Sequence, residues 1–491
     1  MANGNEKRDL IDVLGGWLGA FRDWIDERFP LTEFWEKHVS QYYAPKNFNF
    51  WYFFGSIALL MLVNQILTGI FLAMNYKPDA NEAFASVEYI MRDVNWGWLI
   101  RYMHSVGASM FFVVVYLHMF RGVMYGSYKK PRELLWIFGA LIYLCLMAEA
   151  FMGYLLPWGQ MSYWGAQGII SLFGAIPGIG EGLAQWIRGD FTISDITLNR
   201  FFALHVVAVP LVLIGLVLFH LVALHEVGSN NPDGIEIKKN KDKNGIPLDG
   251  IPFHPYYTIK DIVGVTVFAA VFAGIVFFAP GLHGMFLEPA NFEPANALKT
   301  PDDIHPLWYF GPYYAILRSI PNKLTGVVTM GGAILMLFLL PWIDQNPVKS
   351  LRYRGVLYRR LVLVFGLTFV VLGYIGMQLA SPFWAQIGQR CAELYFLFFV
   401  VSRIYSKPRS SQYLIRAFVT VMALVTLIDI LDIVGWPPSF HELAKWKISE
   451  NTLQIYTWLI PGVYCAVFLL LPAFSGKLIQ SEAVPERVTN K

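Results

Sequence analysis

Two stretches decide the fold: residues 100–124, IRYMHSVGASMFFVVVYLHMFRGVM, and residues 201–224, FFALHVVAVPLVLIGLVLFHLVAL. At about 1.5 Å per residue, each is long and apolar enough to cross the ~30 Å hydrocarbon core of a bilayer as a helix. The first carries His104 and His118, the second His205 and His220. An interval of 14 residues is close to four helical turns, so His104 and His118 share nearly one face, roughly 21 Å apart along the axis. An interval of 15 places His220 about 60° beyond four turns from His205, still on the same general face. Two such helices running parallel bring His104 level with His205, and His118 level with His220. An imidazole deep in lipid is costly unless its ring nitrogens are occupied, and two pairs at matched depths call for a shared partner. A porphyrin iron gripped from above and below supplies one. A single membrane histidine is better explained as a hydrogen bonder between helices; four at these intervals are not.

The rest of the chain agrees with lipid as its solvent. Of 491 residues, 56% are hydrophobic and only 15% charged, a balance unlike that of soluble domains. Residues 53–74, 105–120, 206–224, 262–280 and 361–380 contain no Asp, Glu, Lys or Arg. Spans are expected near 51–74, 100–124, 134–155, 201–224, 260–279, 324–342 and 360–380, with three more near 389–404, 413–434 and 453–472. That makes an all-α integral membrane bundle of about ten spans. Basic residues gather at 121–132, 238–243, 349–360 and 403–409, and acids at the opposite ends, among them Glu82, Asp93, Asp190, Glu288 and Asp303. The positive-inside rule then places both termini in the cytoplasm. Residues 11–39 mix Trp17, Phe21, Trp24 and Phe29 with charges, as a helix lying in the membrane interface does. The first ten residues lack the apolar core of a secretory signal, so the N-terminus is expected to be retained. A net charge of +3 gives no reason to expect nucleic-acid binding. Cys145, Cys391 and Cys465 lie apart in apolar stretches without a CxxC or CxxCH pairing, which argues against a disulfide framework, a zinc site and covalently attached haem.

Glycines repeat the histidine interval: Gly55 and Gly69 on the first span, Gly139 and Gly153 on the third. Lacking a side chain, they leave room for a flat macrocycle, although small residues also serve ordinary helix packing in membranes. Arg101 and Arg121 each lie three residues from a proposed ligand, placed to pair with haem propionates or to anchor the span at the interface. Six-coordinate haem has no open position, so such groups carry electrons and do no bond chemistry.

Four further strings, GYLLPWGQMSYWG at 153–165, HEVGSNNP at 225–232, FHPYYTIKD at 253–261 and ILRSIPNK at 316–323, are specific. Through them residues 40–405 resemble the cytochrome b family of bacterial ubiquinol:cytochrome c oxidoreductase, complex III. The resemblance implies two non-covalent b haems, a low-potential one on His104 and His205 near the outer surface and a high-potential one on His118 and His220 near the inner. It implies ubiquinol oxidation at an outer site, with Phe151, Tyr154, Met161, Gly165, Pro306, Trp308 and Tyr309. Quinone reduction at an inner site would involve Ser56, His225, Lys260 and Asp261, the two sites linked by the haems in a Q cycle. An iron-sulfur (Rieske) subunit, a c-type cytochrome subunit, a homodimeric complex and the bacterial inner membrane are implied as partners and place. The chain is expected to divide into an interfacial segment (1–48), a haem-binding four-helix bundle (49–235), a C-terminal cytochrome b region with the outer-site loop (236–405), and an added membrane pair with a cytoplasmic tail (406–491).

Three departures stand out. The family's Pro-Glu-Trp-Tyr motif reads Pro306-Leu307-Trp308-Tyr309 here, so the usual proton acceptor is missing; the expected substitute is Glu293, or Glu288 in the same loop, or else water with Tyr154. The interval from His205 to His220 is one residue longer than is typical of mitochondrial members. Two spans beyond the family's eight follow the shared region. A di-haem anchor of a dehydrogenase or hydrogenase, or a transporter without redox activity, would account for the histidines but not for both sets of pocket residues.

Overall fold

The charge-free runs fold as helices because in lipid every backbone N–H and C=O must be satisfied within its own segment. The structure, a computed structural model, describes residues 3–36, 42–434 and 453–489. Among these, eight helices are long and apolar enough to cross a membrane: Phe50–Ala73, Gly97–Tyr125, Glu133–Leu155, Asp195–Val227, Phe253–Phe278, Lys323–Ile343, Val356–Gly376 and Ser411–Ile428. The protein is a membrane helical bundle. The other two expected spans are also helical. Pro382–Ile404 contains an Arg390–Glu393 ion pair of 2.8 Å, and in the last the apolar part is the shorter Leu459–Phe474. Residues 37–39, which end the expected interfacial stretch, and residues 435–452 lie outside the described residues. Asn3–Asp26 is a helix whose Trp17, Phe21 and Trp24 are all exposed, the arrangement expected of a helix resting in an interface.

The first helix packs on the second, and the third on the fourth. Phe253–Phe278 leans on the first two, and its approach is joined to the chain's start by a short antiparallel pairing of Tyr43–Pro45 with Gly250–Pro252. The second helix ends at Gly126, whose φ of +67° is a left-handed cap. A Cβ there would also lie 2.6 Å from the Lys349 carbonyl oxygen, so only glycine fits on both counts.

The halves are locked at one end by a buried ionic centre. Asp344 receives Lys129 at 2.9 Å and Arg354 at 3.0 Å, and the hydroxyls of Tyr128 and Tyr358 donate to it at 2.6 and 3.1 Å. Burial alone would raise the Asp344 carboxyl, but the two cations hold it well below the usual carboxylate range. Past the last helix the chain returns over the same end. Arg487 pairs with Asp249 at 2.7 Å, and the Thr489 N–H donates to Asp233 at 2.7 Å.

Candidate functional site

The second and fourth helices set the histidines face to face. His104 and His205 have ring centres 6.2 Å apart, and His118 and His220 6.4 Å apart. An imidazole nitrogen binds a metal at about 2 Å, which leaves the centres of two rings on one iron roughly 6 Å apart. The separations therefore fit a bis-imidazole iron at both depths. The glycines supply an independent fit. A Cβ on Gly55 or Gly69 would lie 3.3 Å from Cε1 of His118 or His104, and one on Gly139 3.2 Å from that of His220. At Gly153 the added carbon would strike the His205 ring outright. Each glycine named from spacing thus faces one histidine at its own level, leaving a cradle that any side chain would fill.

The fifteen-residue interval has a local cause. Leu204–Ala208 forms a π turn, with Val209 N–H bonding to the Leu204 carbonyl, and a π turn takes up one extra residue. That residue is absorbed at His205 itself, so His220 still meets His118. Pro210, which has no N–H to continue an α ladder, follows directly; it was the signal available in the sequence.

The partners of the rings were not legible. Thr68 Oγ1 lies 2.9 Å from His104 Nδ1, and the Gln65 amide donates to the His104 carbonyl at 3.0 Å. His205 Nδ1 lies 2.9 Å from both the Glu149 carbonyl oxygen and its carboxylate Oε1. Such contacts fix the ring and leave Nε2 for a metal. Arg121 Nη2 stands 3.4 Å from His118 Nε2, its guanidinium lies 5.0 Å from the Tyr52 ring centre, and its Nε is buried without a hydrogen bond among the described residues. Arg101 is half-buried one turn before His104. A half-buried guanidinium near each pair suits a propionate.

At the expected outer end, a small cleft is lined by Phe151, Tyr154, Ser162, Gly165, Ala166, Ile169, Pro306, Leu307 and Phe310. Four predicted residues line it, as does Leu307. Three do not. Met161 is buried, Trp308 donates to Ser109 at 3.1 Å, and Tyr309 stacks on Phe112 at 4.0 Å. These side chains support the wall from behind. The two candidate carboxylates separate clearly. Glu293 is exposed and meets the cleft's helix only through its backbone oxygen, which accepts from Gln160 N–H at 3.0 Å. Glu288 is buried, and the Tyr154 hydroxyl donates to it. Of the two expected carboxylates, Glu288 is the one whose side chain meets a residue of the cleft wall.

At the other end the predicted residues fall into groups. Ser56 donates to Asp261 at 2.6 Å. His225 meets the Tyr42 ring at 4.8 Å, and Tyr42 in turn meets Phe253 at 6.1 Å. Lys260 Nζ lies over Tyr256 at 4.6 Å, directed to an aromatic face. Tyr42 was missed, since nothing in its own spacing marks it.

Comparison with known proteins agrees with this geometry. The family profile described as cytochrome b/b6/petB matches residues 39–228, and that described as cytochrome b (C-terminal)/b6/petD matches residues 294–396. A cytochrome b of Allochromatium vinosum is 61% identical over 391 residues, covering 78% of this chain and 94% of that one. One from Rhodospirillum rubrum is 49% identical over 385 residues, 78% and 92% of the two chains. A chain in a solved structure titled hyperthermophilic respiratory Complex III superposes with a TM-score of 0.72 at 41% identity, covering 78% of this chain and 98% of that one.

Proposed function

Since the chain belongs to the cytochrome b/b6 family, a family of haem-b-binding membrane subunits, we propose that it is the quinol-oxidising, quinone-reducing subunit of a bacterial complex III. The observation that carries this reading is the pair of facing histidine couples at two depths, each ring backed by a glycine. When bound, two non-covalent b haems supply reversible one-electron transfer between the outer and inner surfaces. His104 and His205 hold the outer one and His118 and His220 the inner, with Arg101 and Arg121 as propionate partners.

The cleft between Phe151, Tyr154, Gly165 and Pro306 receives ubiquinol. Its walls are apolar apart from a few polar groups, as suits a quinone headgroup and tail. At the inner end, Asp261 and His225 bind the quinone carbonyls and pass protons inward from water, with Ser56 orienting Asp261 and Lys260 adding positive charge. Electrons leave the outer cleft in two directions, which requires an iron-sulfur subunit and a c-type cytochrome beside this chain. The complex is a homodimer in the inner membrane, with both termini of this chain in the cytoplasm.

Pyridine extraction of the purified complex tests the premise. Two protohaems per chain, with two b-type bands titrating at separate potentials and one of them lost in His205→Leu, are expected. Fewer than two, or both bands surviving that substitution, would reject the reading; a colourless preparation would favour the transporter.

A further inference from the structure

The outer cleft lacks a carboxylate where Leu307 stands, and a different set of side chains runs from its wall toward solvent. Tyr154, which lines the cleft, donates its hydroxyl proton to Glu288 Oε2. Glu288 Oε1 lies 3.3 Å from His305 Nδ1, and His305 Nε2 lies 3.9 Å from Asp303 Oδ2. The three side chains become progressively wetter, at 5%, 17% and 33% exposed. The His305 nitrogen also stands 3.1 Å from the Pro306 carbonyl oxygen, and Oε1 is buried without an aligned hydrogen bond. His305 Nδ1 thus faces two oxygens, Glu288 Oε1 and the Pro306 carbonyl. Tyr309 is a further titratable neighbour of Glu288, and Tyr314, with Arg318 beyond it, stands near Asp303.

We propose that Glu288, His305 and Asp303 form the proton exit of the outer site, replacing the motif carboxylate that Leu307 has displaced. The inference rests on the quinol-site reading above. As quinol is oxidised, one O–H bond breaks for each electron lost: the Tyr154 hydroxyl on the cleft wall takes that proton as it hands its own to the Glu288 carboxylate, and the electrons leave to the iron-sulfur partner and to the haem that His104 and His205 would hold. Glu288 then gives a proton to His305 Nδ1, the Nε2–H proton passes to Asp303, and Asp303 releases it to water; both carboxylates are restored, and the ring, left with its proton on Nδ1 beside the Pro306 carbonyl, returns to the Nε2–H form by exchange with water before the next turnover. Burial, with the Asp303 charge adding, pushes the Glu288 carboxyl up to about 8. A base in that range can both accept and release a proton at working pH.

The competing role is a clasp that merely ties the loop to the third span through Tyr154. The test uses the intact complex in membranes, a soluble ubiquinol analogue, and cytochrome c reduction followed from acid to alkaline pH. With both b bands present, Glu288→Gln keeps the size and hydrogen-bonding capacity of the side chain, and is expected to slow turnover roughly tenfold or more. The wild type is expected to speed up as pH approaches the Glu288 range, and the variant should lack that rise. His305→Phe should slow turnover while leaving quinol affinity near normal. Adding Leu307→Glu to Glu288→Gln should restore rate by returning a carboxylate to the cleft wall. A Glu288→Gln complex with an unchanged rate and pH profile would overturn the relay, as would a slow one that Leu307→Glu fails to rescue. Absence of the b bands in the wild type would instead overturn the reading on which it rests.

Discussion

At the scale of single residues, the histidine cradles make the sharpest demands. Gly139→Val places methyl groups where the His220 ring lies and is expected to lose or shift one b band, whereas Gly215→Ala, on the fourth helix with nothing near its Cβ position, keeps both. Visible redox spectra of the two variants decide it. Glu149 is an acid inside a membrane helix and its carboxylate reaches the Nδ1 side of His205. A negative neighbour makes that imidazole a stronger donor and stabilises oxidised iron. Glu149→Gln should therefore raise the midpoint potential of the outer haem by tens of millivolts and leave the inner one unmoved in a redox titration. The histidines and glycines were legible because helical periodicity turns an interval in sequence into a face and a depth. Glu149, Thr68 and Tyr42 were not, because their roles depend on what a neighbouring helix presents to them. Glu288 and Glu293 could not be told apart for a related reason: a loop gives no period from which to say which of two acids points inward.

Among the elements, the apolar helices were readable from charge-free runs. Pro382–Ile404 is less apolar because Arg390 and Glu393 neutralise each other within it. The π turn at Leu204–Ala208 shows how a helix keeps its ligands aligned while carrying one residue more. Between elements, the Asp344 centre could not be foreseen, since its members come from positions 128, 129, 344, 354 and 358. Asp344→Asn strands two cations in a buried setting, and loss of one partner of a buried pair costs about 3–5 kcal/mol. A lowered thermal midpoint of the detergent-solubilised complex, with the b bands intact before unfolding, is the expected result. Because the folded carboxyl is held low, its contribution is fully present above the ordinary carboxylate range and is lost only as pH falls toward the depressed value. Acid should therefore erode the wild type in a lower pH window than one set by unpaired carboxylates, and erode the Asn variant without that step.

For the whole molecule, the resemblance to the family covers what the bilayer and the haems impose, and falls silent on the final helices. What the sequence left dark there is the returning tail. Arg487 and Thr489 reach Asp249 and Asp233, and Glu482 pairs with Arg359 at 2.5 Å. Removing residues 476–491 should leave both haems bound but speed trypsin cleavage within 238–243, read by gel; an unchanged cleavage rate would show that the tail does not guard that loop. A last consequence follows from the second and fourth helices carrying all four imidazoles. On the proposed two-haem reading, the first porphyrin to enter would fix the register of the two helices and so prepare the other site. Loading should then be cooperative, with half-filled chains scarce when the pigment is limiting.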